Sequence, residues 1–437
     1  KVTAVREQMV AHNKTINWKP KSTGDGRFGN WLANANDWNL SRSRFWGIPL
    51  PIWRSKDGKE PRIVGSVEEL FKAIDESVAK GLMTQNTLKD FSLGDLSDEN
   101  YTRIDLHKHT LDPIVLCSPT EQPMHREPDL IDVWFDSGAM PYAQWHYPFE
   151  NKEKIDNNTD FPADYIAEGV DQTRGWFYTL KAIATLVFDN VAYKNVISNG
   201  LVLDKQGQKM SKRLGNAIDP FEILDTYGPD ATRWYMIANA NPWDNLKFDP
   251  EGVAEVQRKF FGTLYNTYSF FSLYANIDNF SHVELPIPLN ERTELDQWIL
   301  SELHHLIEEV DAAFTNFEPT KAARLMSDFV QERLSNWYVR LCRRRFWKGS
   351  YGPDKIAAYQ TLYECLLTMA KLMAPIAPFY ADRLYLDLTQ ATQTEHFASV
   401  HLSNFPKGDN SVINPALQEK INSARIITSL ALSLRKK

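Results

Sequence analysis

Two apolar runs, Ala163–Ala167 and Lys194–Leu203, bracket a segment, Gln172–Phe188, whose apolar residues recur at helical spacing: Trp176, Phe177, Leu180, Ile183, Ala184 and Val187. Strand, helix, strand in that order is a crossover unit, and it predicts parallel strands. A chain of 437 residues exceeds what one hydrophobic core usually serves, so two or three domains are expected. The α/β pattern begins after Ile131 and ends by about Glu255, beyond which no convincing strand remains. Long amphipathic helices follow: Glu294–Phe314, with Leu295, Trp298, Ile299, Leu303, Ile307 and Val310 on one face, then Thr320–Phe346 and Pro353–Met373. The expected fold class is therefore α/β followed by all-α, a parallel sheet and then an antiparallel helix bundle.

Ahead of the crossover, Trp31–Trp53 is crowded with tryptophan, arginine and proline, and about Asp57 to Pro128 is more polar, with a helical patch at Val67–Lys80 and proline-marked turns. That polar stretch reads as an insertion or subdomain. No run of eighteen or more apolar residues occurs, and the first residues lack the pattern of a signal peptide, so a cytoplasmic protein with no membrane partner is expected. Cys117, Cys342 and Cys365 are odd in number and far apart, which fits neither a disulfide framework nor a structural zinc site. No protein-bound metal or zinc is expected. The net charge of −7 neither proposes nor excludes a nucleic-acid partner, since local clustering decides that. The chain begins at Lys1 rather than at a methionine, which fits a fragment or processed product.

Two constellations sit at the C-terminal ends of the expected strands, where open parallel sheets bind ligands. In Ala167-Glu168-Gly169-Val170-Asp171-Gln172-Thr173-Arg174-Gly175-Trp176-Phe177, Glu168 ends a strand, Gly169 allows a tight turn or a close approach, and Asp171 is placed to cap the next helix. A carboxylate and an amide at such a rim suit ribose hydroxyls or an amino group; a turn glycine with an N-cap aspartate is the plainer account. The second constellation is Lys209-Met210-Ser211-Lys212-Arg213-Leu214-Gly215-Asn216, after the turn Lys205-Gln206-Gly207-Gln208. Lys205, Lys209, Lys212 and Arg213 make a mobile basic loop, either a solvated turn or a binder of polyphosphate.

Lys209-Met210-Ser211-Lys212 resembles the KMSKS signature of class I aminoacyl-tRNA synthetases, with Arg213 in place of the final serine and a helix expected near Asp219-Pro220. Asp37-Trp38-Asn39-Leu40-Ser41-Arg42-Ser43-Arg44-Phe45-Trp46-Gly47 resembles a segment shared by the isoleucine, valine and leucine enzymes. Asp132-Val133-Trp134-Phe135-Asp136-Ser137-Gly138 and Glu168–Phe177 are similar to the isoleucyl-tRNA synthetase family in particular, and the likeness runs on into Ser335-Asn336-Trp337-Tyr338-Val339-Arg340.

That resemblance implies the second half of a Rossmann-like catalytic domain and a helical anticodon-binding domain. Residues 1–36 would return from an editing insertion, 37–55 and 131–220 belong to the catalytic domain, 56–130 form the polar insertion, 221–255 the stem-contact linker and 256–437 the anticodon-binding bundle. Glu168 would contact the isoleucyl-adenylate at its amino group, with Gly169, Asp171 and Gln172 lining the adenylate. Trp134 and Trp176 would wall the isoleucine pocket; core packing is their other reading. Lys212 would bind ATP phosphates with Lys209 assisting, and Met210 and Ser211 belong to the same nucleotide loop. Mg2+ would arrive with ATP, and the expected partners are isoleucine, ATP and tRNA(Ile).

The chain departs from the family in lacking the HIGH signature; His107-Lys108-His109 lies in the polar insertion and is no substitute. It also lacks room for the editing domain, which the family needs because an apolar pocket discriminates weakly against a side chain one methylene smaller. A missing N-terminal half carrying both is therefore an expected partner, and the chain alone is expected not to activate isoleucine. A valyl-tRNA synthetase fragment and a non-catalytic tRNA-binding paralogue are the alternatives. Between Lys321 and Lys348, the basic residues Lys321, Arg324, Arg333, Arg340, Arg343, Arg344, Arg345 and Lys348 interleave with Trp337, Tyr338, Phe346 and Trp347. Cations for phosphates beside aromatics for unstacked bases suit single-stranded RNA; a solvated basic face over core aromatics is the alternative.

Overall fold

The crossover around Gln172–Phe188 forms the heart of a three-stranded sheet in the computed structural model of the chain. Strand Ala163–Gly169 passes through the helical turn Val170–Arg174 into helix Trp176–Phe188, and the chain returns as strand Tyr193–Asn199. The returning strand is central. Its other neighbour is the short strand Asn17–Lys19, parallel to it, with Trp18 opposite Val196. The inner helix face buries Phe177, Leu180 and Ala184 against Trp18, Phe28, Tyr193 and Val196; each large apolar side chain so buried contributes about 1.5–3 kcal/mol. Helix Val133–Ala143 packs on the crossover helix so closely that a Cβ on Gly138 would meet Ile183 Cδ1 at 2.8 Å and the Thr179 carbonyl carbon at 3.2 Å.

The run Lys194–Leu203, expected as one strand, is broken. Strand order ends at Asn199, and Val202–Leu203 pairs in parallel with Leu246–Lys247 as a separate two-stranded sheet. The break falls at Gly200, whose amide donates to Pro242 O and where a Cβ would lie 2.4 Å from Asp244 O. Apolar periodicity carries no record of such a backbone contact with a distant segment.

The structure describes residues 1–392 and 397–435; residues 393–396 and 436–437 of the expected helical domain lie outside them. Contacts divide the chain into a unit over Lys1–Ser198 and another over Asn199–Lys437. Within the first unit three strands of the expected polar insertion 56–130 join Ile52–Ser55, which precedes it, in an antiparallel sheet in the order Pro61–Ile63, Ile52–Ser55, Pro123–Arg126, Val115–Cys117. Helix Val67–Ala79 is capped by Ser66, whose hydroxyl accepts from Glu69 N, and buries Leu70, Ala73 and Ile74 in a core with Trp53, Leu116 and Met124.

The second unit is dominated by helices. Glu294–Thr315 opens with a capping box between Thr293 and Asp296 and buries Trp298, Ile299, Leu303, Ile307 and Val310. The short link Asn316–Glu318 turns the chain back into Pro319–Asp328, and the next helices, Pro353–Met373 and Pro378–Thr392, follow the same pattern. The expected helix Thr320–Phe346 is continuous but changes winding twice, with the π-helical stretch Phe329–Val339 between the α-helical Pro319–Asp328 and Arg340–Trp347. Among the described residues no strand follows Leu246–Lys247, and no helix is long and apolar enough to cross a membrane.

Candidate functional site

In the first unit, the structure gathers the predicted residues of the Glu168–Trp176 segment around the N-terminus of the crossover helix. Glu168 and Gly169 close the strand, both half-buried. Asp171 does not cap the helix as the sequence suggested. Its carboxylate turns back, so that a Cβ on Gly169 would sit 2.6 Å from Asp171 Oδ1. Gln172 supplies the cap: its Oε1 accepts from Trp176 N at 2.9 Å. The longer side chain reaches across the helical turn Val170–Arg174, which displaces the helix start to Trp176.

Trp134 and Trp176 are brought together by the packing of their two helices. The Trp176 indole donates from Nε1 to Ser137 O at 2.7 Å, and Trp134 Cη2 lies 3.4 Å from where a Gly175 Cβ would be. Trp134 is 41% exposed. Its ring is thus presented to solvent instead of filling a core.

Asp132, not among the predicted site residues, holds this arrangement. It is buried, caps helix Val133–Ala143 through Trp134 N, and accepts from Trp38 Nε1 at 2.9 Å and Arg42 Nη2 at 2.5 Å. Strand Ser41–Arg42 pairs with Leu130–Ile131 and delivers Arg42 to it. An aspartate directly before the apolar run Val133-Trp134-Phe135 is an N-cap signal that could have flagged it. Burial, and then the Asp132 charge, raise the carboxyl of Asp136 one turn on.

In the second unit, Lys209, Met210, Ser211 and Lys212 form one loop framed by two residues outside the signature. Asp204 accepts from Gln206 N at 3.0 Å, Gln208 N at 2.7 Å and Asn216 Nδ2 at 2.8 Å. Asn216 also accepts from Ser211 N at 2.9 Å and donates to Lys209 O at 3.3 Å. The Asn216 amide, then the backbone amides, hold the Asp204 carboxyl below its ordinary range. Ser211 caps the helical turn Lys212–Leu214, and Gly215 closes it at φ +65°, a left-handed conformation that suits glycine. Met210 packs its side chain on the helical core.

Lys205 does not join the basic face of the loop. It pairs with Asp249 at 3.1 Å and Glu251 at 3.6 Å. Lys209, Lys212 and Arg213 make no ion pair with any described residue, and Lys212 and Arg213 are exposed. The helix expected near Asp219 starts at Pro220 with Asp219 as its cap.

The basic run of the helical zone separates into two sets. Arg345 is bidentate to the fully buried Asp296 at 2.8 Å through both Nη atoms, Arg333 pairs with Glu302 and Asp328, and Arg324 donates to the carbonyls of Ala238 and Asn239. These three hold the fold. Lys321, Arg340, Arg343, Arg344 and Lys348 are exposed. Of the aromatics, Tyr338 and Phe346 are core, Trp337 is half-buried and Trp347 is exposed. Among the described residues no cluster of three His, Cys, Asp or Glu side chains could hold a metal ion.

Comparison with known proteins fits both halves of this geometry. Residues 1–249 match the family model described as tRNA synthetases class I (I, L, M and V), and residues 296–437 that of the anticodon-binding domain of tRNA ligase. Over all 437 residues the chain is 62% identical to the isoleucine–tRNA ligases of Bacteroides fragilis and Bacteroides thetaiotaomicron, and over 444 aligned residues 44% identical to that of Dehalococcoides mccartyi. It spans 38% of the length of the two Bacteroides proteins and 41% of the third. Among solved structures, it is similar to Mycobacterium tuberculosis methionyl-tRNA synthetase bound by methionyl-adenylate, with a TM-score of 0.61 at 16% identity, covering 95% of this chain and 68% of that one. It is also similar to the Agrobacterium radiobacter K84 agnB2 LeuRS of a ternary complex, with a TM-score of 0.58 at 19% identity, covering 87% of this chain and 43% of that one. These two likenesses bear on the fold alone. With the class I model matched from Lys1 through the framed lysine loop to Asp249, the chain belongs to the class I tRNA synthetases of the isoleucine, leucine, methionine and valine group.

Proposed function

We propose that this chain is part of an isoleucine–tRNA ligase, supplying the adenylate-binding segment, the pyrophosphate loop and the anticodon-side helical domain for ATP-dependent activation of isoleucine and its transfer to tRNA(Ile). The observation that carries the proposal is the framing of Lys209 and Lys212. Asp204 and Asn216 fix the loop's backbone, and no carboxylate of the described chain neutralises its lysines. Unpaired ammonium groups on a fixed loop are suited to polyphosphate. The 62% identity to isoleucine–tRNA ligases along the whole chain supports the choice of amino acid.

In the proposed reaction an oxygen of the isoleucine carboxylate attacks the α-phosphorus of ATP in line. The bond to the bridging oxygen breaks, and pyrophosphate leaves with that electron pair. Lys212, with Lys209, offsets charge on the departing phosphates; Glu168 holds the amino group; Gly169, Asp171 and Gln172 line the adenylate; Trp134 and Trp176 wall the side chain. Met210 and Ser211 shape the loop. No protein nucleophile is required, because positioning and charge stabilisation supply the rate. Magnesium would enter as the ATP complex, held by phosphate oxygens and water.

The chain contains no HIGH string, and we propose that it needs the polypeptide bearing one in order to form adenylate. Isoleucine-dependent exchange of pyrophosphate into ATP tests this. The chain alone is expected to stay at background, and the chain mixed with the separately produced N-terminal portion to show exchange that Lys212→Met abolishes. Turnover by the chain alone would overturn the division of labour. Exchange driven by valine at least as well as by isoleucine would overturn the substrate.

A further inference from the structure

Two residues of the Asp132–Gly138 motif have no part in the proposed reaction, and both line the same cavity. Phe135 and Asp136, on helix Val133–Ala143, border a space of about 430 Å³ within the first unit. The buried Trp53, Leu70 and Leu111 make part of its lining apolar. Another part is aromatic: Phe91, Tyr101, His146 and Phe149 adjoin one another in that order, with ring centroids 5.2, 5.3 and 5.3 Å apart. None of the residues assigned to the adenylate or to isoleucine lines this space. Its volume falls among those of small-molecule sites, roughly 300–1,000 Å³.

Charge decides what such a molecule could be. The lining carries two carboxylates and one histidine, and no lysine or arginine. Glu68 is met by Lys72 at 2.5 Å, and His146 by Glu150 at 2.8 Å. Asp136 is half-buried and makes no hydrogen bond or ion pair with any described residue. Burial, and then the Asp132 charge, oppose its ionisation. A carboxylate drawn partly out of water calls for a cation, and aromatic faces attract the same kind of ion. A strongly hydrated metal ion or ammonium would leave the apolar lining uncovered, and a phosphate would meet like charge.

We propose that this cavity binds an organic ammonium ion with an apolar or aromatic body, its nitrogen on Asp136 and its body among the rings. A monoamine is called for, because the other carboxylate, Glu68, already has its lysine. A carboxylate on the ligand would face the Asp136 charge, so free amino acids are disfavoured, which sets this site apart from the proposed isoleucine pocket. The proposal stands independently of the proposed activity.

Isothermal titration of the full chain near neutral pH tests it with three probes of one shape: phenethylamine, the uncharged phenethyl alcohol and the anionic hydrocinnamate. The amine is expected to bind about tenfold tighter than the alcohol, as one hydrogen bond between charged groups provides, and hydrocinnamate more weakly than either. Asp136→Asn should bring the amine down to the affinity of the alcohol while leaving the alcohol unchanged. Leu106→Trp, at a lining position 39% exposed, should weaken both by filling the space. Glu168→Gln covers the other place where an amine could sit, and should leave the tenfold preference intact. Equal binding of amine and alcohol, binding of neither, or a preference that survives Asp136→Asn would overturn the proposal. A preference lost in Glu168→Gln and kept in Asp136→Asn would overturn it too, by placing the amine in the isoleucine pocket.

Discussion

Asn216 donates its side-chain amide to Asp204 at 2.8 Å while accepting the amide of Ser211 at 2.9 Å, so one side chain ties the start of the lysine loop to its end. The loop's shape therefore depends on a residue that carries no charge and lies outside the KMSK string. Asn216→Ala removes these two bonds and the weaker one to Lys209 O. At about 1 kcal/mol net each for the two shorter bonds, local opening should become roughly tenfold or more easier. Trypsin cleavage after Lys209 and Lys212 should accelerate to match, with the far-ultraviolet circular dichroism unchanged. Cleavage at the wild-type rate would show that the loop is held by something else.

Gly138 lets the helices bearing Trp134 and Trp176 approach each other. In Gly138→Ala the added carbon would meet Ile183 Cδ1 at 2.8 Å and Thr179 backbone at 3.2 Å. The first contact can be relieved by a rotamer change, but the second is backbone. Overpacking of this kind costs about 1–3 kcal/mol. The urea midpoint should fall accordingly, and isoleucine should bind the reconstituted enzyme more weakly because the two indoles are displaced.

Much of this architecture is legible in the amino-acid sequence, and the parts that are not share a cause. The period of Trp176, Phe177, Leu180 and Ile183 reports which face is buried, so the crossover helix and its neighbouring strands can be read directly. Its first residue cannot: Asp171 is a better cap by type, yet the turn Val170–Arg174 places Gln172 in reach of Trp176 N. The lysine string of the loop is visible to the eye, but its frame spans twelve positions between Asp204 and Asn216. In the basic run, charge alone cannot separate Arg345 from Arg344. One finds the buried Asp296, 49 positions away, and its neighbour faces solvent.

Lys181 predicts an unusual pH dependence. Its side chain is fully buried in the crossover helix, Nζ has no hydrogen-bond partner, and burial brings its pKa down to about 7. Nearby His12, itself lowered by burial and then by Lys181, faces it from helix Arg6–Asn13, with Asp189 beside His12. The unfolded lysine titrates near 10.5, so between about pH 7 and 10.5 the unfolded chain binds one proton more. Stability then rises with pH across that window, and below it the full cost of the buried charge is felt. Lys181→Met should accordingly stabilise the first unit by a few kcal/mol near pH 6, and by clearly less near pH 9. Urea unfolding at the two pH values reads the difference; an equal gain at both would mean that the folded lysine stays protonated throughout, as the unfolded one does.

Arg345 and Arg344 are adjacent arginines with opposite assignments. Arg345→Met leaves Asp296 buried, with Tyr338 and the Thr293 hydroxyl and amide as its remaining side-chain donors among the described residues. Breaking one side of a buried pair costs on the order of 3–5 kcal/mol, so the helical unit should lose much of its stability. Arg340 and Arg344 are exposed on the same stretch, and replacing both by Gln should move the unfolding midpoint by less than about 0.5 kcal/mol per site. RNA binding should respond in the reverse order. With the double variant, the dependence of log K on log salt should flatten by about one unit for each phosphate no longer neutralised. A salt slope unchanged in the double variant would place the phosphate-binding face elsewhere on the domain, with Lys321, Arg343 and Lys348 as the remaining exposed cations of the run outside the set that holds the fold.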